Sequence, residues 1–489
     1  MQGASTAYQQ CLERLHWAMG RLEIAIDPAQ LVQIATLIVQ PMMGRWRFFH
    51  TPQHIFEVGG EEDPIEVLAA LFHDVVYVQV DLSIPFNLSF HLTPFIRELG
   101  DKLAIREEAE LPEDRAFAAI LAVFGFAPGQ VLEPFAGQNE FLSAIVAAKA
   151  LEPLLSLDRL LRVVVCIEAT IPFRVQSSEN MTPMDCLHER LVATNEKFDL
   201  GLTHRDIVEA VKRAVRVGNR DVIGFSGATA HFLANTWNLL PETNHSLIGS
   251  NSYTVRDYRM ALQKMESFIS NLQAESIFNR FEGEPNAQMY QFLEDKARKN
   301  LEVAKLYLAS KVVTIALIEA LSYGLGLNVP LATMMGIHPD RGSRGIRLES
   351  FITKVANPYR PKSDLEWQVL NFLEKGRKGR GRNEDYDLDN SPLATFLVKS
   401  LGFEEVRYQC DRAKGFFDRK ISTKEFLAEF DLSTTKTVVN ALASLFEAQK
   451  NAMNRCYATL ASFANTQILA QNQTDGDRKN RSSTHNATV

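Results

Sequence analysis

The chain has 489 residues, 46% of them apolar, and a formal net charge of −7 at neutral pH. That length exceeds one ordinary core and predicts two domains, and the apolar share excludes a wholly disordered chain. The acidic balance weighs against a nucleic-acid partner, and five scattered cysteines with no Cys-x-x-Cys pair exclude a disulfide framework and a thiolate zinc site.

Met1 to Ser5 carries no basic stretch leading into an apolar core, so a cytoplasmic protein is expected. Apolar residues recurring every three or four positions predict helices over Ala7–Ile24 and Pro28–Val39. Pro52 suits the first turn of a further helix, where its missing N–H is not needed. The apolar run Val67–Phe72 ends in His73-Asp74, and Val75–Val80 reads as a continued helix or a short loop. Helices are predicted again over Leu157–Glu168, Asp206–Val217 and Tyr253–Leu272, then a break at Phe281–Asn286 and a long helix over about 288–323. The most apolar stretch, Val312–Leu327, contains Glu319 and glycines and falls short of the roughly 20 apolar residues that span a bilayer. Lys375–Arg382 is a Gly-interrupted basic run followed by the acidic Glu384–Asp389, which together read as a self-neutralising surface loop. The fold class is therefore all-α, with a helical domain over 1–280, a second of unassigned role over 281–464, and a polar tail over 465–489 too poor in apolar residues to fold.

The chemistry concentrates early in the chain. A buried carboxylate and imidazole are costly without hydrogen bonds or a metal to compensate them. Neutral imidazole and carboxylate both ligate zinc, iron, nickel, cobalt or manganese, so His73-Asp74 together with His50 and His54 suggests a metal site. On a helix, positions 50 and 54 share a face, which lets one imidazole bind an ion while the other reaches a ligand oxygen.

These residues resemble the HD superfamily of metal-dependent phosphohydrolases, whose pattern is H…HD…D on an all-α scaffold. Phe49-His50-Thr51-Pro52-Gln53-His54 is similar to the Y-H-N-x-x-H element of the cyclic-nucleotide phosphodiesterases. With Arg47 before it and Leu71-Phe72-His73-Asp74-Val75-Val76-Tyr77 after it, the segment looks closer to predicted HD phosphohydrolases carrying R-x-Y-H-T-x-x-H and then F-H-D-x-V-Y. The resemblance covers roughly the first 225 residues. It implies a hydrolase of small phosphorylated substrates, nucleotides among them, with His54, His73 and Asp74 as metal ligands and His50 as the proton donor to the leaving oxygen. Arg47 is left between two roles, a fork holding the phosphate and a structural ion pair.

The resemblance also requires a later aspartate. Asp158, Asp185 and Asp206 stand at helix starts or turns, whereas Asp221 ends a helical run and precedes the apolar Val222-Ile223-Gly224-Phe225, so Asp221 is the expected fourth ligand. Between Asp74 and Asp221 the only histidines are His91, His188 and His204, too dispersed for a second cluster, so about one divalent transition metal per chain is expected. Asp81 reads as a helix cap or surface acid, with a role behind the ligands or toward substrate as the sharper alternative. A second function class stays open, in which the same scaffold senses a ligand or binds a partner without turnover.

Overall fold

The structure, a computed structural model, describes residues 2–174, 181–248, 253–336, 347–377 and 390–446. The expected loop over Lys375–Asp389 lies largely outside the described residues, and the tail lies wholly outside them. The fold is mostly helical, as the periodicity predicts. Its described residues form two compact units, one from 2–243 with 272–301 and the other from 244–271 with 302–446.

The first unit opens with α1 (Gln2–Arg21), α2 (Pro28–Met42), α3 (Pro52–Gly59), α4 (Pro64–Phe72), α5 (Val78–Asp81) and α6 (Phe86–Leu92). A small antiparallel sheet follows, β1 (Ile96–Leu99), β2 (Lys102–Ile105) and β3 (Val131–Leu132), in the order β1-β2-β3. It is the one sheet among the described residues, with Ile96 opposite Ile105 and Leu103 opposite Leu132. The remaining helices of this stretch are α7 (Arg115–Phe124), α8 (Gln138–Leu151), α9 (Leu157–Glu168), α10 (Pro183–Phe198), α11 (His204–Asp221) and α12 (Thr229–Thr243). Then come α13 (Val255–Asn271), the long α14 (Ala287–Ser322), α15 (Leu331–Met335), α16 (Asp364–Lys375), α17 (Pro392–Leu401), α18 (Phe403–Phe417), α19 (Thr423–Ala428) and α20 (Leu432–Leu445).

The centre of the first unit is α9, packed against α4, α8 and α11. Helix α4 is apolar nearly all round, which suits a helix with neighbours on every side, whereas α9 is amphipathic with its apolar face inward; Val67–Phe72 and Val163–Ile167 are fully buried. Helix α4 starts sharply because the Asp63 side chain accepts the Ile65 and Glu66 N–H groups and Pro64 opens the first turn. Helix α11 is amphipathic. It turns Ile207, Val211, Ala214 and Val215 inward, and its arginines bind α4 and its flank: Arg213 pairs with Asp63 at 2.6 Å, while Arg216 and Arg220 both reach the buried Glu66, at 2.7 and 2.6 Å. These bridges fix the rotation of α11 and so the place of its last residue, Asp221.

Gly218 sets the approach of α11 to the end of α9, because a Cβ there would stand 2.5 Å from the Ala169 carbonyl oxygen. Gly218→Ala therefore forces the two helices apart at a cost of about 1–3 kcal/mol. The expected result is a lower melting temperature together with poorer retention of any ion held by Asp221. An unchanged melting temperature would show that the contact yields freely.

Candidate metal centre

Four of the expected side chains meet. One ligand atom each from His54, His73, Asp74 and Asp221 lie within 4.8 Å of one another. His54 comes from α3, His73 from the C-terminal end of α4, Asp74 from the turn after it, and Asp221 from the last position of α11. The Asp221 Oδ1 atom lies 3.0 Å from His54 Nε2 and 3.4 Å from His73 Nε2, and Asp74 Oδ2 lies 3.1 Å from His73 Nε2 and 3.6 Å from His54 Nε2. Donors about 2.1 Å from a common ion stand roughly 3.0 Å apart at right angles and roughly 3.4 Å apart at tetrahedral angles, so these four edges are compatible with a shared metal ion.

The donors are also prepared for an ion. His73 Nδ1 lies 2.8 Å from the Ala70 carbonyl oxygen, to which it donates its proton, so Nε2 is the ring nitrogen that faces the cluster. His73 Nε2 and Asp74 Oδ2 are buried, and neither makes a hydrogen bond among the described residues although they stand close together. Buried polar atoms are rarely left so, and a cation between them would satisfy both. Burial disfavours the charged forms here, yet Asp74, faced by His73, His50 and His54, is held far below the usual carboxylate range. Burial likewise opposes ionisation of Asp221, but the hydrogen bond with His54 and the nearby His73 hold its carboxyl low. His73, burial notwithstanding, is raised well above an ordinary imidazole by Asp74 and Asp221. A set of two imidazoles and two carboxylates could hold a metal ion.

His50 is not on the helix, which corrects the shared-face expectation. Thr51 is extended and Pro52 opens α3, so His50 sits in the bend before it. Its ring still stands 5.8 Å from that of His54, centroid to centroid, and 4.5 Å from that of Tyr77. The bend is held by a residue the sequence reading missed, Glu242 near the end of α12. Fully buried, it accepts the backbone N–H groups of Phe48, Phe49 and His50 on Oε1, at 2.6, 2.6 and 3.0 Å, and lies 2.6 Å from His50 Nδ1 through Oε2. Burial opposes the His50 imidazolium, but the Glu242 and Asp74 charges prevail and raise its pKa.

Arg47 takes the structural role of its two alternatives. Its side chain is fully buried, its Nε and Nη2 grip Asp81 at 3.0 and 2.7 Å, and its Nη1 donates to the Asp74 carbonyl oxygen at 2.9 Å. Both the Nε and Nη2 positions of the guanidinium are thus engaged by Asp81, which is neither a cap nor a free surface acid. Helix α8 braces the same turn, with Ser143 and Asn139 accepting the Val76 and Val78 N–H groups at 3.1 Å each. Glu140 beside them was also missed: burial, with Asp74 and Asp221 nearby, pushes its carboxyl up to about 8.

Asp185 and Asp206 complete capping boxes with Thr182 and Thr203, Asp158 lies in the first turn of α9, and none of the three joins the donor set. The apolar segment after Asp221 is only partly buried: Val222 is buried while Ile223 is 47% exposed. No helix among the described residues is long and apolar enough to cross a membrane. No protein-family model, curated protein or solved structure matches the chain, so the functional reading rests on the geometry of the centre and on the motifs that compose it.

Proposed function

We propose that the chain is a metal-dependent hydrolase of phosphoric esters, acting on a small phosphorylated substrate such as a nucleotide. One observation carries the reading: an imidazole braced by a buried carboxylate stands beside the four-donor set without belonging to it. Ligand binding alone has no need of that extra group, whereas ester cleavage needs a proton for the departing oxygen.

A divalent transition ion held by His54, His73, Asp74 and Asp221 would supply Lewis acidity and lower the pKa of a water molecule. His50 supplies the complementary half. Glu242 holds a proton on Nδ1, so Nε2 is the atom that passes its proton to the leaving oxygen, and the ring then rests as neutral imidazole. The three backbone N–H groups on the other Glu242 oxygen fix that carboxylate, and through it the plane of the His50 ring. Tyr77 closes over His50, its hydroxyl kept neutral by burial and by the Asp74 charge, and Arg47 anchors the turn that presents Asp74.

Elemental analysis joined to turnover on a panel of phosphomonoesters and phosphodiesters, nucleotides included, tests this. About one ion per chain is expected, with turnover lost on chelation and restored by metal. Metal retention without turnover on any panel member would favour the ligand-sensing reading instead. Failure to hold metal under any loading condition would reject the hydrolase reading.

A further inference from the structure

The second unit contains a cavity of about 750 Å³ in which the metal centre has no part. Its walls are the first turns of α13, the end of α14, the segment Leu327–Val329 and the turn joining α18 to α19. In a chain with a net charge of −7, this cavity is lined by four cationic side chains, Arg256, Arg259, Arg419 and Lys420, against two carboxylates, Glu319 and Glu425.

Both carboxylates are already committed. Glu319, 2% exposed, accepts from Arg259 Nε and from the Tyr323 hydroxyl, each at 2.9 Å. Glu425 accepts the Ser422 N–H at 2.7 Å in the capping box of α19. Lys420 is paired with Asp418, but Arg256 and Arg419 are exposed and meet no carboxylate among the described residues. Arg419 holds a φ of 59°, and Asn328 in the facing segment one of 58°, backbone values uncommon away from glycine. Flat surfaces line the same space: the Arg259 guanidinium lies over Phe417 with its carbon 4.7 Å from the ring centroid, and Tyr323 is 42% exposed. Unneutralised arginines beside aromatic faces recognise an anion attached to a ring, and the volume suits a small ligand.

We propose that this cavity binds a small organic anion carrying a phosphate on a flat ring system, the chemistry of a nucleotide, with Arg256 and Arg419 taking the phosphate and Tyr323 and Phe417 the ring. This site is separate from the proposed hydrolytic centre and does not depend on that reading.

Calorimetric titration of the full chain, with a chelator present, uses AMP, ribose 5-phosphate and adenosine as probes. AMP is expected to bind at least tenfold more tightly than either fragment. The double variant Arg256→Ala/Arg419→Ala, with its melting temperature unchanged, is expected to lose at least tenfold in AMP affinity. Tyr323→Leu should weaken AMP and leave ribose 5-phosphate unaffected, and Asp74→Asn should change neither. The proposal is overturned if AMP does not bind at millimolar concentration, if ribose 5-phosphate binds as well as AMP, if the arginine pair is without effect, or if Asp74→Asn abolishes binding.

Discussion

Asp221→Asn is expected to lower metal affinity by at least tenfold while the fold survives. Asparagine keeps the shape and one oxygen donor but removes the charge that faces both His54 and His73. Changes merely behind a ligand typically lower affinity about 10- to 100-fold, so neutralising a ligand belongs at the upper end of that range or beyond it. Asp74→Asn should do the same, since Oδ2 faces the same two imidazoles from another side. Asp206→Asn is the control. It disturbs a helix-capping box remote from the donors, and should lower stability by about 1 kcal/mol with metal retained. Elemental analysis after gel filtration reads all three, and normal metal content in Asp221→Asn would remove Asp221 from the ligand set.

His50→Ala is expected to keep the ion and lose turnover on the order of 10²–10⁴-fold. The ring lies beside the donors, yet its Nδ1 is taken by Glu242. Glu242→Gln removes the charge from that contact but preserves its shape. Since burial opposes the His50 imidazolium and Glu242 supports it, this variant lowers the His50 pKa. Activity that needs protonated His50 falls as pH rises through that pKa, so the alkaline limb of the Glu242→Gln profile moves to lower pH. A purely structural Glu242 would lower activity at every pH and leave the limb in place. Loss of metal from His50→Ala would make His50 a ligand and end its assignment as proton donor.

Local order was legible along the chain because its causes are local. Helix α9 spans Leu157–Glu168 as its periodicity predicts, Pro52 opens α3, and Thr203 caps α11. Asp221 could be chosen over three other aspartates because Asp158 and Asp206 stood at helix starts and Asp185 in a turn, where a carboxylate already has a use. The structure brings that helix end to His54, His73 and Asp74, although Ile223 in the apolar segment after it is exposed.

What remained hidden depended on pairs far apart in sequence. Glu242 lies 192 positions from His50, and no helical period or cap signals that it will gather three N–H groups and an imidazole. Arg47 offered the same guanidinium to two roles, and only burial against Asp81, 34 positions on, decided between them. The sequence by itself determined several of the longer helices, such as α9, and the residue types able to ligate a metal, since hydrophobic periodicity and capping act over a few residues. Tertiary structure alone decided which carboxylate braces which imidazole, because such partners are selected by the packing of α11 and α12 around the centre and not by any pattern within either helix.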